Sequence, residues 1–182
     1  MSRSALNDLF LFAMMLVIAA ILTVAMVLQY QGGEIPCPLC LLQRVAMFGV
    51  CFGIIAHFRY GPSSRNDGLC MLFALFLLIV SARQTLLDIY PRPGHEYIGS
   101  AIFGLHMPVW SIVIAVAILL AFAIKLAVLG EPQDGKARSS QMLDKPAGLL
   151  GLYVILLCAI NFISVIAQCG LGACHTMGYK LL

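Results

Sequence analysis

The sequence predicts an all-α membrane protein of five spanning helices. Three observations predict it. Of the 182 residues, 62% are hydrophobic and only 10% are charged. A soluble domain carries about 25% charged residues, so this chain lacks the polar side chains to cover a water-facing surface. The apolar residues also gather into five runs, each close to the roughly 20 helical residues that cross a hydrocarbon core about 30 Å thick. The net charge of +3 is small. No basic, aromatic-interleaved face suggests nucleic acid as a partner, whereas membrane lipid is a partner by composition.

The runs cover residues 9–28, 41–58, 69–87, 109–129 and 148–167. The first is too long for the apolar part of a cleaved signal peptide, and no small-x-small site follows it. It therefore reads as a retained helix. The third run ends at Pro91, Pro93 and Gly94, residues that break helices. Within the loop 88–108, Tyr97, Ile98, Ile102, Phe103 and Leu105 form a short segment that can lie in the membrane interface, with Tyr97 and Trp110 at headgroup level. Residues 131–146 are polar and contain Gly, Pro and Ser, the composition of a flexible connector.

Lys and Arg in short loops set the orientation. Arg3, Arg59, Arg65, Lys125, Lys136, Arg138 and Lys145 fall on one side of the five spans. Arg92 and Lys180 fall on the other, with Arg44 and Arg83 inside helix ends. The richer side is expected to be cytoplasmic, which places the N-terminus inside and the C-terminus outside. Cys37 and Cys40 then lie in the first outer loop, and Cys169 and Cys174 in the outer tail. Two close pairs thus face one compartment, the oxidising one. Cys51, Cys70 and Cys158 read as small buried apolar residues, and His57 as an interfacial side chain near the cytoplasmic helix end.

The stretch Pro36-Cys37-Pro38-Leu39-Cys40-Leu41-Leu42-Gln43-Arg44 carries the chemistry. Cys-x-x-Cys closes a small, reducible disulfide. Pro38 suits a first helical turn, where no N–H is needed. Cys40 then sits at the N-terminus of the second helix, whose free N–H groups favour a thiolate. Arg44, one turn deeper on the same face, adds a fixed positive charge. A stabilised thiolate at the bilayer surface calls for a lipid-soluble electron acceptor, for which a membrane quinone is suited. Arg44 would polarise its carbonyl. Arg83 and Gln84, at the outer end of the third helix, can line the same site, as can His106 at the start of the fourth.

Other chemistries fit parts of the pattern. Cys37, Cys40, Cys169 and Cys174 or His175 offer a zinc ligand set, and Arg44 would snorkel to headgroups in a protein without redox function. In the tail, Cys169-x-x-x-x-Cys174-His175 is a widened form of the c-type haem attachment motif. The flexible spacing with two glycines equally lets Cys169 and Cys174 close a disulfide, either structural or an exchange partner for the first pair.

The segment "CPLCLLQR", Arg83-Gln84 and "GSAIFGLHMPVW" together resemble the disulfide-bond formation protein B (DsbB) family over roughly residues 8–130. The resemblance implies a four-helix bundle, to which this chain adds a fifth transmembrane helix. It implies that Cys37 and Cys40 form a disulfide that passes electrons to ubiquinone or menaquinone, with Cys40 facing the quinone. Arg44 takes the place of the quinone-interacting arginine, and Gln43, Arg83, Gln84 and His106 are the other quinone-binding candidates. No metal is expected. The implied partner is a DsbA-like thioredoxin-fold periplasmic protein, and the implied location is the bacterial inner membrane with the cysteines on the periplasmic side. The family carries its second cysteine pair between helices three and four, where this chain has none.

The expected organisation is therefore a DsbB-like four-helix domain over 1–130 and a cytoplasmic connector over 131–147. A fifth helix follows over 148–168, then a periplasmic tail over 169–182. Cys169 and Cys174 would supply the missing pair, making the chain a thiol:quinone oxidoreductase. The alternative is a non-catalytic subunit of a larger membrane complex that holds quinone or lipid.

Overall fold

The computed structural model describes residues 3–33, 36–90, 104–130 and 141–170. Five helices appear: α1 (Arg3–Tyr30), α2 (Pro38–Tyr60), α3 (Ser64–Ile89), α4 (Met107–Leu129) and α5 (Gln141–Cys169). Each is long and apolar enough to cross a membrane. The expected interfacial segment around Tyr97 and Ile98, the centre of the connector and the tail with Cys174 and His175 lie outside the described residues.

Pro38 occupies the first turn of α2, as its missing N–H predicts. Gly61 ends that helix at φ 97°, and its N–H bonds the His57 carbonyl at 2.8 Å. A residue with a Cβ would be strained there. The Ser63 hydroxyl then caps α3 by accepting from the Arg65 N–H. The α2–α3 connection is thus three residues long, and the two helices run antiparallel.

One difference from expectation concerns α5. It begins at Gln141 rather than at 148 and carries Pro146 inside it, so residues 141–147 are helix rather than connector. Asp144 in its first turn complements the positive helix end. Gln, Met, Leu and Lys are good helix formers, and the helix starts ahead of Pro146.

The second helix is central. Of its spanning window, 67% is buried, against 22–33% for the other four. It packs on α1, α3 and α5; α4 lies chiefly on α3, and α5 covers the groove between α1 and α2. The core joins Leu11, Met15, Ile18, Leu22, Val50, Ile54, Leu77 and Phe122. Leu72, Ile79, Ile124, Leu152 and Phe162 point outward, an arrangement suited to lipid.

The α2–α3 contact is close because two glycines a turn apart, Gly49 and Gly53, face α3. A Cβ on Gly49 would collide with the Phe73 ring, and one on Gly53 with Cys70 Sγ and the Asn66 carbonyl. Cys51 and Cys70 are buried free thiols, as expected; Cys158 is a free thiol but exposed, on the outer face of α5.

A further expectation is corrected at the end of the bundle remote from Cys37. His57 is fully buried, not interfacial: its Nε2 lies 3.1 Å from Asp8 Oδ1 and 3.4 Å from Asn7 Nδ2. Lys125 is also buried, and its Nζ donates to both carboxylate oxygens of Asp67 at 2.6 Å. A buried ammonium needs a charged partner and a buried imidazole a hydrogen-bond partner. Here the neighbouring helices supply carboxylates to both, so these side chains turn inward instead of reaching headgroups.

Two stability effects are expected. Gly53→Val overpacks the α2–α3 seam and should destabilise by about 1–3 kcal/mol. Gly68→Ala, with nothing within 4 Å of the added Cβ, should be neutral or stabilising by about 0.5–1 kcal/mol. Thermal unfolding in detergent compares the two. Lys125→Met strands the Asp67 carboxylate and should cost about 3–5 kcal/mol. Adding Asp67→Leu should recover most of that loss in the same assay.

Candidate functional site

Cys37 is the N-cap of α2, in an extended conformation with φ −70° and ψ 160°. Its Sγ accepts the Cys40 backbone N–H at 3.0 Å, filling the role that an oxygen plays in an ordinary N-cap. Cys37 and Cys40 are disulfide-bonded, with Cα atoms 5.0 Å apart. Cys37 is buried and Cys40 half-buried, so the bond lies just inside the helix mouth.

Gln84 reaches this disulfide from α3. Its Nε2 donates toward Cys37 Sγ at 3.3 Å and Cys40 Sγ at 3.4 Å. Its Oε1 accepts from Gln43 Nε2 at 2.9 Å, and Gln43 Oε1 accepts from the Ser111 hydroxyl of α4 at 3.1 Å. All three side chains are buried. Sequence reasoning missed Ser111, a polar residue in an otherwise apolar run. Its position one turn into α4, beside Trp110, was the available signal.

Arg44 faces elsewhere. Its guanidinium donates to Gln29 Oε1, to the Ala25 carbonyl at 3.0 Å and to Met26 Sδ at 3.4 Å, all on α1. It also donates to Asn161 Oδ1 of α5 at 3.3 Å. The expected shared face of Cys40 and Arg44 is therefore not what the side chains adopt. Four residues advance a helix by roughly 40° past a full turn, and the long arginine stem follows the acceptors on α1. Arg83 is exposed, because neighbours in a helix do not share a face and Gln84 takes the inward one. His106 is the exposed N-cap of α4. Cys37, Cys40, Gln43 and Gln84 are thus brought together, Arg44 borders them on the α1 and α5 side, and Arg83 turns outward.

The fifth helix ends at the same place. Gln168 is fully buried and its Nε2 donates to the Pro36 carbonyl at 2.8 Å, one residue before Cys37. Cys169, next along, is buried and disulfide-bonded. Cys174 lies outside the described residues. Along the helix, Asn161 holds Arg44, Ser164 meets the Tyr30 hydroxyl, and Tyr153 meets Thr23 at 2.7 Å. Among the described residues, no three His, Cys, Asp or Glu side chains gather as a metal site. Cys37 and Cys40 are bonded to each other, and Cys169 is disulfide-bonded as well.

A sequence model of disulfide bond formation protein DsbB matches residues 7–97, half of the chain. The chain belongs to the DsbB family. The "Disulfide bond formation protein B" of Azoarcus sp. is 38% identical over 91 residues, 43% of this chain and 54% of that protein. The protein of the same name from Nitrosomonas eutropha is 35% identical over 78 residues, 41% of this chain and 48% of its own. The one from Chromohalobacter salexigens is 28% identical over 162 residues, which is 82% of this chain and 86% of that relative. The first two matches span about half the length of those relatives. No solved structure matches. Membership in the DsbB family and five spanning helices make the chain a multi-pass inner-membrane protein.

The link between α5 and the first disulfide gives a direct expectation. Gln168→Leu leaves the buried Pro36 carbonyl without its donor, which should cost about 1–3 kcal/mol. Hydrogen exchange should speed up at Ile166–Cys169 while the middle of α5 stays protected. Unchanged protection at that end would mean that α5 is held there by packing alone.

Proposed function

We propose that the chain is a membrane thiol:quinone oxidoreductase that reoxidises a DsbA-like thioredoxin-fold partner in the periplasm. The observation that carries the reading is the meeting of two disulfides at one end of the bundle. Cys37–Cys40 sits at the mouth of α2, and the bonded Cys169 adjoins Gln168, which grips Pro36. Exchange requires a thiolate to reach a disulfide sulfur, and this latch keeps the end of α5, with Cys169, at the Cys37 side.

The steps balance as follows. A reduced partner attacks a Cys169–Cys174 disulfide and leaves with its own two thiols oxidised, so the tail gains two electrons and two protons. A tail thiolate then attacks Cys37 Sγ. The Cys37–Cys40 bond breaks, a mixed disulfide forms at Cys37, and the electron pair stays on Cys40 as a thiolate. The second tail thiol resolves the mixed bond, which restores the tail disulfide and leaves Cys37 and Cys40 reduced. Gln84 is placed to donate to the Cys40 sulfur as it gains charge.

The residues present suit a quinone. Cys40 is half-buried in an apolar span, and amide and guanidinium donors border it, which matches a flat apolar ring with two carbonyl acceptors. Gln84 and Gln43 would hold it from the α3 side and Arg44 from the α1 side. A bound quinone supplies the final acceptor for two electrons and two protons. The loop charges support a cytoplasmic N-terminus: Arg59 and Arg65 are exposed at the α2–α3 turn, opposite the cysteines.

The reading is tested with the full chain in lipid and a reduced DsbA-like protein. Cys169→Ser and Cys174→Ser should each abolish reoxidation of that partner, while dithiothreitol should still drive quinone reduction through Cys37–Cys40. Cys40→Ser should stop quinone reduction with either donor. Parent-rate oxidation of the partner by the tail variants would sink the role given to the tail. A parent chain that reduces no quinone with any thiol, and copurifies with a large partner, would point to an accessory subunit.

A further inference from the structure

We infer that Ser111 is a positioning residue that sets the redox balance of the Cys37–Cys40 pair through a directional chain of hydrogen bonds. The inference rests on the redox reading above but concerns a residue two side chains removed from the sulfurs. The chain runs across three helices: Ser111 Oγ to Gln43 Oε1 at 3.1 Å, Gln43 Nε2 to Gln84 Oε1 at 2.9 Å, and Gln84 Nε2 to both sulfurs at 3.3 and 3.4 Å.

Its direction is the point. A glutamine amide has a donor end and an acceptor end and can turn about its last torsion. At the far end the sulfurs of a disulfide carry no proton, so they only accept. At the near end a hydroxyl that donates to Gln43 Oε1 obliges Gln43 to offer its N–H to Gln84. Gln84 must then accept with its oxygen and present N–H to the disulfide. The same hydroxyl has a second acceptor at 3.3 Å, the Met107 carbonyl, so it supports this order while its hydrogen points to Gln43, the nearer of the two. Without the hydroxyl, Gln43 Oε1 loses the donor that favours the order, which the proton-free sulfurs then support alone. Gln84 can then turn its carbonyl oxygen toward the sulfurs.

The consequence appears when the disulfide opens. A disulfide sulfur is a weak acceptor, whereas the thiolate released from Cys40 is a strong one. Donors aimed at the sulfurs therefore stabilise the reduced form more than the oxidised form. A stabilised reduced form makes the pair easier to reduce, as a link that must take electrons from the tail requires. Burial of all three side chains strengthens each bond and makes a mis-turned amide costly.

The test needs no quinone. The full chain carrying Cys158→Ser, Cys169→Ser and Cys174→Ser, so that Cys37–Cys40 is the responding pair, is equilibrated with glutathione buffers of graded ratio. The reduced fraction is then read by mass-tag alkylation. Gln84→Leu should require about tenfold more reducing buffer, the scale of losing one hydrogen bond to a charged group. Ser111→Ala should shift the equilibrium in the same direction by a smaller factor, on the order of threefold. Ser111→Thr, which keeps the hydroxyl, should restore the parent midpoint. Gln43→Leu, which breaks the middle of the chain, should match or exceed Ser111→Ala. A parent midpoint in Ser111→Ala, or an equal shift in Ser111→Thr, overturns the inference. So does a shift confined to Gln84→Leu, which would leave Gln84 acting alone. Displaced midpoints in a chain that reduces no quinone would overturn the proposed function and uphold the chain of bonds.

Discussion

A helix surrounded by other helices inside a bilayer has no water to satisfy its polar side chains. That constraint acts most strongly on α2, the most buried of the five. It carries Gln43, Arg44 and His57, and each meets a different set of neighbours. Gln43 bonds to α3 and α4, Arg44 to α1 and α5, and His57 to α1. These bonds select which helix lies on which side, because lipid gives apolar side chains little reason to prefer one neighbour over another. The disulfide inherits its surroundings from this distribution: the glutamine side becomes its donor wall and the arginine side faces the added helix.

On the proposed function the fifth helix has a specific task. The loop between α3 and α4 has no cysteine, so a second pair must come from elsewhere if exchange is to occur. A free tail would meet Cys37 only by diffusion of its tether. In this chain α5 binds the α1–α2 groove along its length, through Tyr153, Asn161, Ser164 and Gln168. Anchoring of this kind raises the effective concentration of Cys169 near the first pair. Asn161 also ties α5 to Arg44, so the helix that carries Cys169 helps to hold the arginine on the α1 side.

Much of the fold was legible in the sequence because it depends on local chemistry. Apolar runs located all five helices, and Pro38 marked the first turn of α2. Cys37 and Cys40 announced their bond by spacing. Side-chain direction was less legible. Arg44 was expected beside Cys40 from helical spacing, but a long side chain goes where acceptors are, and those acceptors belong to distant segments. The same holds for His57 and Lys125, whose partners Asp8 and Asp67 are far away in sequence and were not weighed. The Gly49-x-x-x-Gly53 spacing was readable as a close-packing signal. Ser111 had weaker notice: one hydroxyl in an apolar helix is ordinary, and only the alignment of α2, α3 and α4 gives it a task.

The two ends of the bundle use polar burial for different ends. At the end remote from the disulfide, Lys125 and Asp67 form an ion pair whose charges cancel, and the His57 ring lies against Asp8. Such contacts hold helices in register. Around Cys37–Cys40 the described contacts are neutral amides, a hydroxyl and a backbone N–H, with Arg44 turned aside. A fixed carboxylate beside the sulfurs would oppose the thiolate that electron transfer must create, and a fixed cation in direct contact would hold that thiolate too firmly to pass its electrons on. Amide dipoles lie between these extremes. They favour a developing negative charge by a modest amount and carry none of their own. On the proposed function, a site that accepts an electron pair and then releases it is well served by donors of that strength.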